Sequence, residues 1–232
     1  MHGTVVSETL CGAIVVSDVA YAEDALLSAH RHDRPYVSVL LEGAYTELCG
    51  DVPRACTPGT VLWHASGEVH ADYFVSPGRC LNFASEAPES RALSEDALLA
   101  AVRIARPELE PALRAHVPPP ARKVSRDAPA WLPPLLHAFP WVDAVPLASA
   151  ARLAALHPAQ FARSFREHVG MTPGRYRRRE RIRAASRMLL GSSAPLSAIA
   201  HECGFSDQSH FTNVFRETAG ISPQRYRRAF RR

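Results

Sequence analysis

The pattern of apolar and polar positions changes character along the chain. From about Thr4 to Ala84, apolar residues come in short β-branched runs broken by Gly and Pro, the punctuation of strands and turns. Tyr36–Leu41 ends at Glu42-Gly43 and Ala44–Leu48 follows, so the two predict a hairpin. Thr60–Trp63 follows the turn signal Thr57-Pro58-Gly59, Ala71–Val75 ends at Ser76-Pro77-Gly78, and Cys80–Phe83 comes next. Short strands at this spacing predict an all-β sandwich or small barrel. The period then becomes helical. Ser94 is a candidate cap with acids behind it, and Leu98, Val102 and Ala101 or Ala105 make one apolar face. A second short helix is expected from Pro107 to His116. Val117-Pro118-Pro119-Pro120 ends it, basic Arg122-Lys123 follows, and five further prolines up to Pro146 predict an extended, semi-rigid linker. Trp131, Leu132, Leu135, Leu136, Phe139 and Trp141 are too apolar for a free linker, and are expected to dock on the helices that follow or on the β segment.

Those helices come twice. Phe161, Phe165, Arg166, Glu167, Gly170, Pro173, Tyr176 and Arg177 recur fifty positions later as Phe211, Phe215, Arg216, Glu217, Gly220, Pro223, Tyr226 and Arg227. Leu147 and Ala151 match Leu196 and Ala200 at an offset of forty-nine, so the second copy has one extra residue in its turn. In the first copy, Leu147, Ala150, Ala151 and Ala154 fall on one helical face. Pro158 opens the next helix, with Phe161, Phe165 and Val169 inward and Gly170 ending it. In the second copy Leu196, Ile199, Ala200 and Cys203 are inward, Gly204 turns, and Ser206 or Asp207 caps a helix with Phe211, Val214 and Phe215 inward. A longer helix from Thr172-Pro173 to about Leu190 joins them on a stripe of Ile182, Ala185 and Leu189. Each copy therefore reads as a helix-turn-helix.

Charge sharpens this division. Residues 1–120 hold 8 arginines and 16 acids, a net −8, whereas residues 121–232 hold 19 bases and 7 acids, a net +12. A basic half coinciding with the repeat points to nucleic acid. No apolar run approaches the roughly 20 residues of a membrane span, and Glu8 interrupts the apolar N-terminal stretch, so neither a membrane nor a signal peptide is expected. The five cysteines, Cys11, Cys49, Cys56, Cys80 and Cys203, form no CxxC pair and suit reduced thiols in a cytoplasm. Cys49 and Cys56 read either as oxidation-responsive thiols or as buried small hydrophobes.

The run from Ile199 to Tyr226, IAHECGFSDQSHFTNVFRETAGISPQRY, closely resembles the signature of the AraC/XylS family of transcriptional regulators. The resemblance implies two helix-turn-helix modules reading adjacent major-groove segments of double-stranded DNA. The first copy departs from that pattern at Ala155, where glycine is common, and at His157, where serine is common. Outward positions divide by chemistry. Arginine can grip guanine and Asn or Gln can grip adenine, so Arg163, Gln208 and Asn213 are candidate base readers, with Ser209 and Thr212 behind them. Arg166, Arg178, Arg181 and Arg216 are candidate phosphate contacts, which position the protein without reading sequence.

HRHDRPYVSVLLEGAYTE (30–47) with PGTVLWHASGEVH (58–70) resembles the sensor domain of the same family, a small cupin barrel. His30, His32 and His70 match the histidines that meet inside cupins. The Glu usual after the His-x-His pair is absent, and His64 stands where proline is frequent. His-x-His on a strand puts both rings on one face. The four histidines either hold a divalent metal, with Asp33 as a further candidate donor, or line a site for an organic effector or a satisfied core.

The expected architecture is thus α+β and two-domain: a cupin-like β-barrel with following helices, then an all-α double helix-turn-helix. The expected divisions are 1–85 for the barrel, 86–116 for a helical segment that pairs two protomers or packs on its own barrel, 117–145 for the linker and 146–232 for DNA binding. The expected function is a cytoplasmic, non-enzymatic regulator responsive to a small molecule and in contact with RNA polymerase. Its rivals are a metal-dependent cupin enzyme fused to a DNA-binding domain and a ligand-independent regulator with a vestigial barrel.

Overall fold

The computed structural model describes residues 3–85, 95–116, 128–143 and 145–231. The cap expected at Ser94, the Val117–Pro120 run and Arg122-Lys123 lie outside these residues. The chain divides into two compact units, one of Met1–Pro118 with Phe215–Arg232 and one of Pro119–Val214.

Among the described residues the first unit holds nine strands in two sheets, the all-β sandwich or small barrel expected. They are β1 (Thr4–Cys11), β2 (Ile14–Tyr21), β3 (Leu26–Arg31), β4 (Tyr36–Glu42), β5 (Tyr45–Cys49), β6 (Val52–Cys56), β7 (Val61–His64), β8 (Val69–Phe74) and β9 (Gly78–Ser85). One sheet runs β1-β2-β9-β4-β7 and the other β3-β8-β5-β6, all pairs antiparallel. The hairpin expected between β4 and β5 does not form. Gly43 takes φ +82° against the Pro77 carbonyl and the chain crosses there from one sheet to the other. Instead β4 pairs with the distant β9 and β7, and β5 with the distant β8 and with β6, which follows it directly.

Leu40, Leu62 and Cys80 of the first sheet meet Tyr45, Cys56 and Phe74 of the second in one apolar core. Val37, Val39, Val61, Leu81 and Phe83 belong to another, covered by α1 (Glu95–Ala105) and α2 (Glu110–His116), which follow the barrel with a single 3-10 turn, Pro107–Leu109, between them. Leu98, Leu99, Ala101 and Val102 of α1 and Leu113 of α2 are buried there, so the apolar face of α1 is spent on its own barrel.

In the second unit the described part of the proline-rich stretch, 128–143, includes a helix. This helix, α3 (Leu132–Ala138), carries Pro133 and Pro134 in its first turn, where their missing N–H groups cost nothing. Leu132, Leu135, Phe139 and Trp141 are buried with α4 (Leu147–Leu153), α5 (Pro158–Val169) and Tyr176 of α6 (Pro173–Gly191). The docking expected of these apolar residues is therefore onto the first helix-turn-helix. Then comes α7 (Leu196–Glu202); α8 (Gln208–Ala219) begins in this unit and passes into the first at Phe215, and α9 (Pro223–Phe230) belongs to the first. The two turns differ by one residue, Ala154–His157 against Cys203–Asp207, as the repeat offset requires.

Capping explains the boundaries. The His157 ring accepts from Ala159 N at 3.4 Å and Asp207 Oδ1 accepts from His210 N at 2.8 Å, so His157 and Asp207 cap α5 and α8. Thr172 and Ser222 cap α6 and α9 in the same way. Gly170 ends α5 in the left-handed conformation. In the first turn Ala155 is also left-handed, at φ +54°, and exposed. That conformation costs an L-residue about 1–2 kcal/mol, partly offset by the extra unfolded-state freedom of glycine, about 0.4–1 kcal/mol. Ala155→Gly is therefore expected to stabilise the protein by roughly 0.5–1 kcal/mol. Urea denaturation would show this as a higher midpoint at unchanged slope, and a lower midpoint would contradict it.

Candidate DNA-reading surface and barrel cavity

On α5 the inward residues Phe161 and Phe165 are buried, with ring centroids 5.6 Å apart. Their burial leaves Arg163 and Arg166 exposed on the other face, with Ala159 and Gln160. On α8, Phe211 and Phe215 are fully buried, and Gln208, Ser209, Asn213 and Arg216 are exposed while Thr212 is half-buried. The same amphipathic pattern thus presents Arg163 on one helix and four polar side chains on the other. Arg178 is exposed on α6.

Arg181, a candidate phosphate contact, is bonded to the protein's own backbone. Its Nε donates to Val142 O at 3.1 Å and its Nη2 to Asp143 O at 3.0 Å, while the guanidinium lies 6.0 Å from the Phe205 ring centroid. It is half-buried, and burial lowers its pKa. Two backbone carbonyls and an aromatic ring take up its donors, so Arg181 braces the segment before α4 against the second turn. Other arginines of α6 are also engaged. Arg183 pairs with Glu180 at 3.1 Å, Arg179 lies 4.8 Å from the Tyr176 ring centroid, and Arg177 lies 5.8 Å from that of Phe139.

The barrel encloses a cavity of about 410 Å³ lined by residues of both sheets, among them Tyr21, His30, His32, Asp33, Arg34, Tyr36, Tyr45, His64, Asp72 and Phe74. His30 faces His70 across the β3–β8 pair, and the next inward position is His32. Ligand atoms of His30, His32 and His70 all lie within 4.8 Å of one another. Burial pushes the His70 pKa down to about 3 and lowers that of His32, so both rings are neutral near pH 7, the form that binds a metal. His70 Nδ1 is buried without a hydrogen-bond partner, and Nε2 lies 2.8 Å from the Tyr36 hydroxyl. The donor set fits a divalent ion. His64 stacks on His70 at 4.4 Å between ring centroids but is engaged elsewhere, 3.4 Å from Glu47 and 3.3 Å from Glu68. Its pKa is pushed down to about 4, by burial above all.

Sequence reasoning missed the acids of this interior. Glu47 is 2 % and Asp72 9 % exposed, and the two face each other across the β5–β8 pair. Burial raises both pKa values, that of Asp72 well above the carboxylate range with the Glu47 carboxyl adding to the effect. Of the two cysteines with alternative readings, Cys56 is buried, whereas Cys49 is half-buried and its thiol donates to Glu68 Oε1 at 3.2 Å. Burial pushes Cys49, Cys56 and Cys80 up to about 12 and Cys203 to about 11, so they remain thiols. No described helix is long and apolar enough to cross a membrane.

Comparison with known proteins converges on the repeat. Residues 150–229 match a family model described as a helix-turn-helix domain. The chain is 48% identical over 50 residues to the HTH-type transcriptional activator RhaS of Pectobacterium carotovorum, a stretch of 22% of this chain and 18% of that protein. The match thus spans less than a fifth of the curated relative's length. The DNA-binding domain of AdpA, a global transcriptional factor solved with target DNA, is 28% identical, with 41% of this chain and 84% of that one covered at a TM-score of 0.38. A cupin superfamily protein of Desulfitobacterium hafniense is 14% identical, with 37% and 76% covered at a TM-score of 0.32. The family match covers both copies of the repeat, and residues 150–229 of this chain are a helix-turn-helix domain.

Proposed function

We propose that the protein is a sequence-specific DNA-binding transcription regulator whose barrel binds a small effector. The observation that carries the DNA reading is the paired amphipathic geometry of α5 and α8. Each buries two phenylalanines and turns a polar face outward, Arg163 on one and Gln208, Ser209, Thr212 and Asn213 on the other. Arg163, Gln208 and Asn213 read base edges, with Ser209 and Thr212 in support. Arg166, Arg178 and Arg216 meet phosphates and set the register. Recruitment of RNA polymerase in the cytoplasm belongs to the same reading.

Two arginines test it. Arg163→Ala is expected to relax preference at one or two base pairs at a cost of roughly 1–3 kcal/mol on the specific site, with little change on scrambled duplex. Arg216→Ala is expected to weaken both duplexes alike and to lower the salt slope by about one. Fluorescence-anisotropy titrations at several salt concentrations separate these outcomes. Equal losses on both duplexes for Arg163→Ala would remove it from base reading.

For the barrel, the cavity with its convergent polar groups supports effector binding. A second reading is favoured by the approach of His30, His32 and His70: these three would hold a divalent metal, which when bound would supply a Lewis acid or a further ligand for the effector. Metal analysis of protein purified without a histidine tag, with His70→Ala as control, decides it. Stoichiometric metal lost in the variant supports the site, and protein that takes up none at saturating metal refutes it. A metal-dependent enzyme would need that ion, while a vestigial barrel would bind neither metal nor effector.

A further inference from the structure

The barrel interior carries an acid, Asp72, for which the described residues supply no cationic partner. Asp72 projects from β8 into the cavity and is 9 % exposed. Among the described residues the basic side chain nearest to it is the neutral His70 ring, whose Nε2 lies 3.8 Å away, beyond hydrogen-bond range, and is already engaged by the Tyr36 hydroxyl at 2.8 Å. Glu47, opposite on β5, adds a second buried acid rather than a base. Four aromatic residues, Tyr21, Tyr36, Tyr45 and Phe74, line the cavity with Asp72. Tyr21 stacks on Phe74 at 4.1 Å between centroids, and Tyr45 lies 5.0 Å from Phe74. Arg34 also lines the cavity, but its side chain reaches the Ser85 carbonyl at 3.3 Å and the residue is exposed.

A buried acid is costly unless paired. Aromatic rings attract cations through their quadrupoles, and rings around a carboxylate are the chemistry that selects an ammonium group over its neutral isostere. We infer that the barrel takes an organic cation, an aliphatic or aromatic amine, with its ammonium on Asp72 and its carbon skeleton against Tyr21, Tyr45 and Phe74. This inference rests on the effector reading of the cavity and specifies its chemistry. A metal on His30, His32 and His70 would sit beside Asp72, which lies 3.8 Å from His70 Nε2, so the test is made with metal chelated.

The test is a charge series on one skeleton, by isothermal titration of the full chain in EDTA so that no metal contributes. The probes are 2-phenylethylamine, 2-phenylethanol and phenylacetate, extended to a set of aliphatic mono- and diamines. An amine is expected to bind at least about tenfold tighter than its alcohol, with the acid weakest. Asp72→Asn is expected to weaken the amine by roughly 10- to 100-fold and leave the alcohol nearly unchanged. The wild-type series stands alone if that variant misfolds, which circular dichroism would reveal. Alcohol or acid binding as tightly as the amine would overturn the cation and leave the effector cavity standing, as would full amine affinity in a folded Asp72→Asn. Silence from every probe, neutral ones included, would overturn the cation and the effector reading together.

Discussion

Gly204→Ala is expected to destabilise the protein by roughly 2–4 kcal/mol, whereas Gly170→Ala costs only about 1–2 kcal/mol. Both glycines are left-handed, at φ +72° and +79°, so both substitutions meet the same local penalty. The surroundings separate them. A Cβ at Gly204 would lie 2.1 Å from the Val142 carbonyl oxygen and 3.0 Å from Arg181 Nη2, while one at Gly170 would meet nothing within 4 Å. A backbone oxygen cannot swing aside as a side-chain tip can. Moving it would also disturb the bonds by which Arg181 holds Val142 and Asp143. The Gly204 variant should therefore lose DNA affinity as well as stability, and Gly170→Ala should retain most of its affinity. Urea denaturation of both variants beside the wild type is the check, and equal destabilisation would show that the Val142 contact contributes nothing. The comparison also explains the asymmetry of the repeat. Ala155 stands at the position matching Gly204 and adopts the same left-handed backbone, but it is exposed, so that turn pays only the local cost of its Cβ.

The helical half was legible in the sequence because its periodicity and its caps agree. Phe161 with Phe165 and Phe211 with Phe215 mark the inward faces, and Pro158, Thr172 and Gly170 mark the ends. The β half was legible as strands but not as pairings. Glu42-Gly43 has the composition of a tight turn, yet what it joins is decided by partners forty residues away on β9 and by the Pro77 carbonyl. The interior acids were hidden for a different reason. Reading strand faces depends on one side being wet, and β8 is buried from His70 to Phe74 without alternation. On β5, Tyr45, Thr46 and Glu47 are all buried as well. The outer side of these strands is covered within the same unit: Thr46 Oγ1 donates to Ala219 O at 2.6 Å, and Arg225 Nε donates to the Tyr73 hydroxyl at 3.1 Å. With both faces covered, no pattern tells Asp72, which lines the cavity, from Tyr73, which does not. Composition misled in the stretch before the repeat, where prolines suggested an extended linker. Two of them sit in the first turn of α3, the one place in a helix that accepts them.

That stretch gives the second large effect. Trp141→Ala is expected to destabilise the helix-turn-helix unit by about 3–5 kcal/mol, although Trp141 lies outside both copies of the repeat. The indole is 5 % exposed and packs on three aromatic rings, with centroids 4.8 Å from Phe139, 5.5 Å from Phe165 and 4.8 Å from Tyr176. Its Nε1 donates to Leu135 O at 3.1 Å, which ties α3 to the same core. Alanine would leave a cavity beside Phe165 and Tyr176 and strip a buried carbonyl of its donor. Phe165 forms the inward face of α5, so the loss reaches the helix that carries Arg163 and should lower affinity for specific and scrambled DNA alike, unlike Arg163→Ala. The same packing makes a fragment test. A fragment starting at residue 146 keeps the whole repeat but exposes the surfaces of Ala150, Ala151, Phe161 and Tyr176 that α3 and Trp141 cover, whereas one starting at residue 128 keeps them covered. Side-chain burial of this kind contributes roughly 1.5–3 kcal/mol per large residue, so Leu132, Leu135, Phe139 and Trp141 together are comparable to the margin of about 5–15 kcal/mol by which a domain stays folded. The longer fragment is expected to melt cooperatively and bind DNA, and the shorter to aggregate or melt without a transition. If both melt at the same temperature, the segment before the repeat is dispensable and the value expected for Trp141→Ala falls with it.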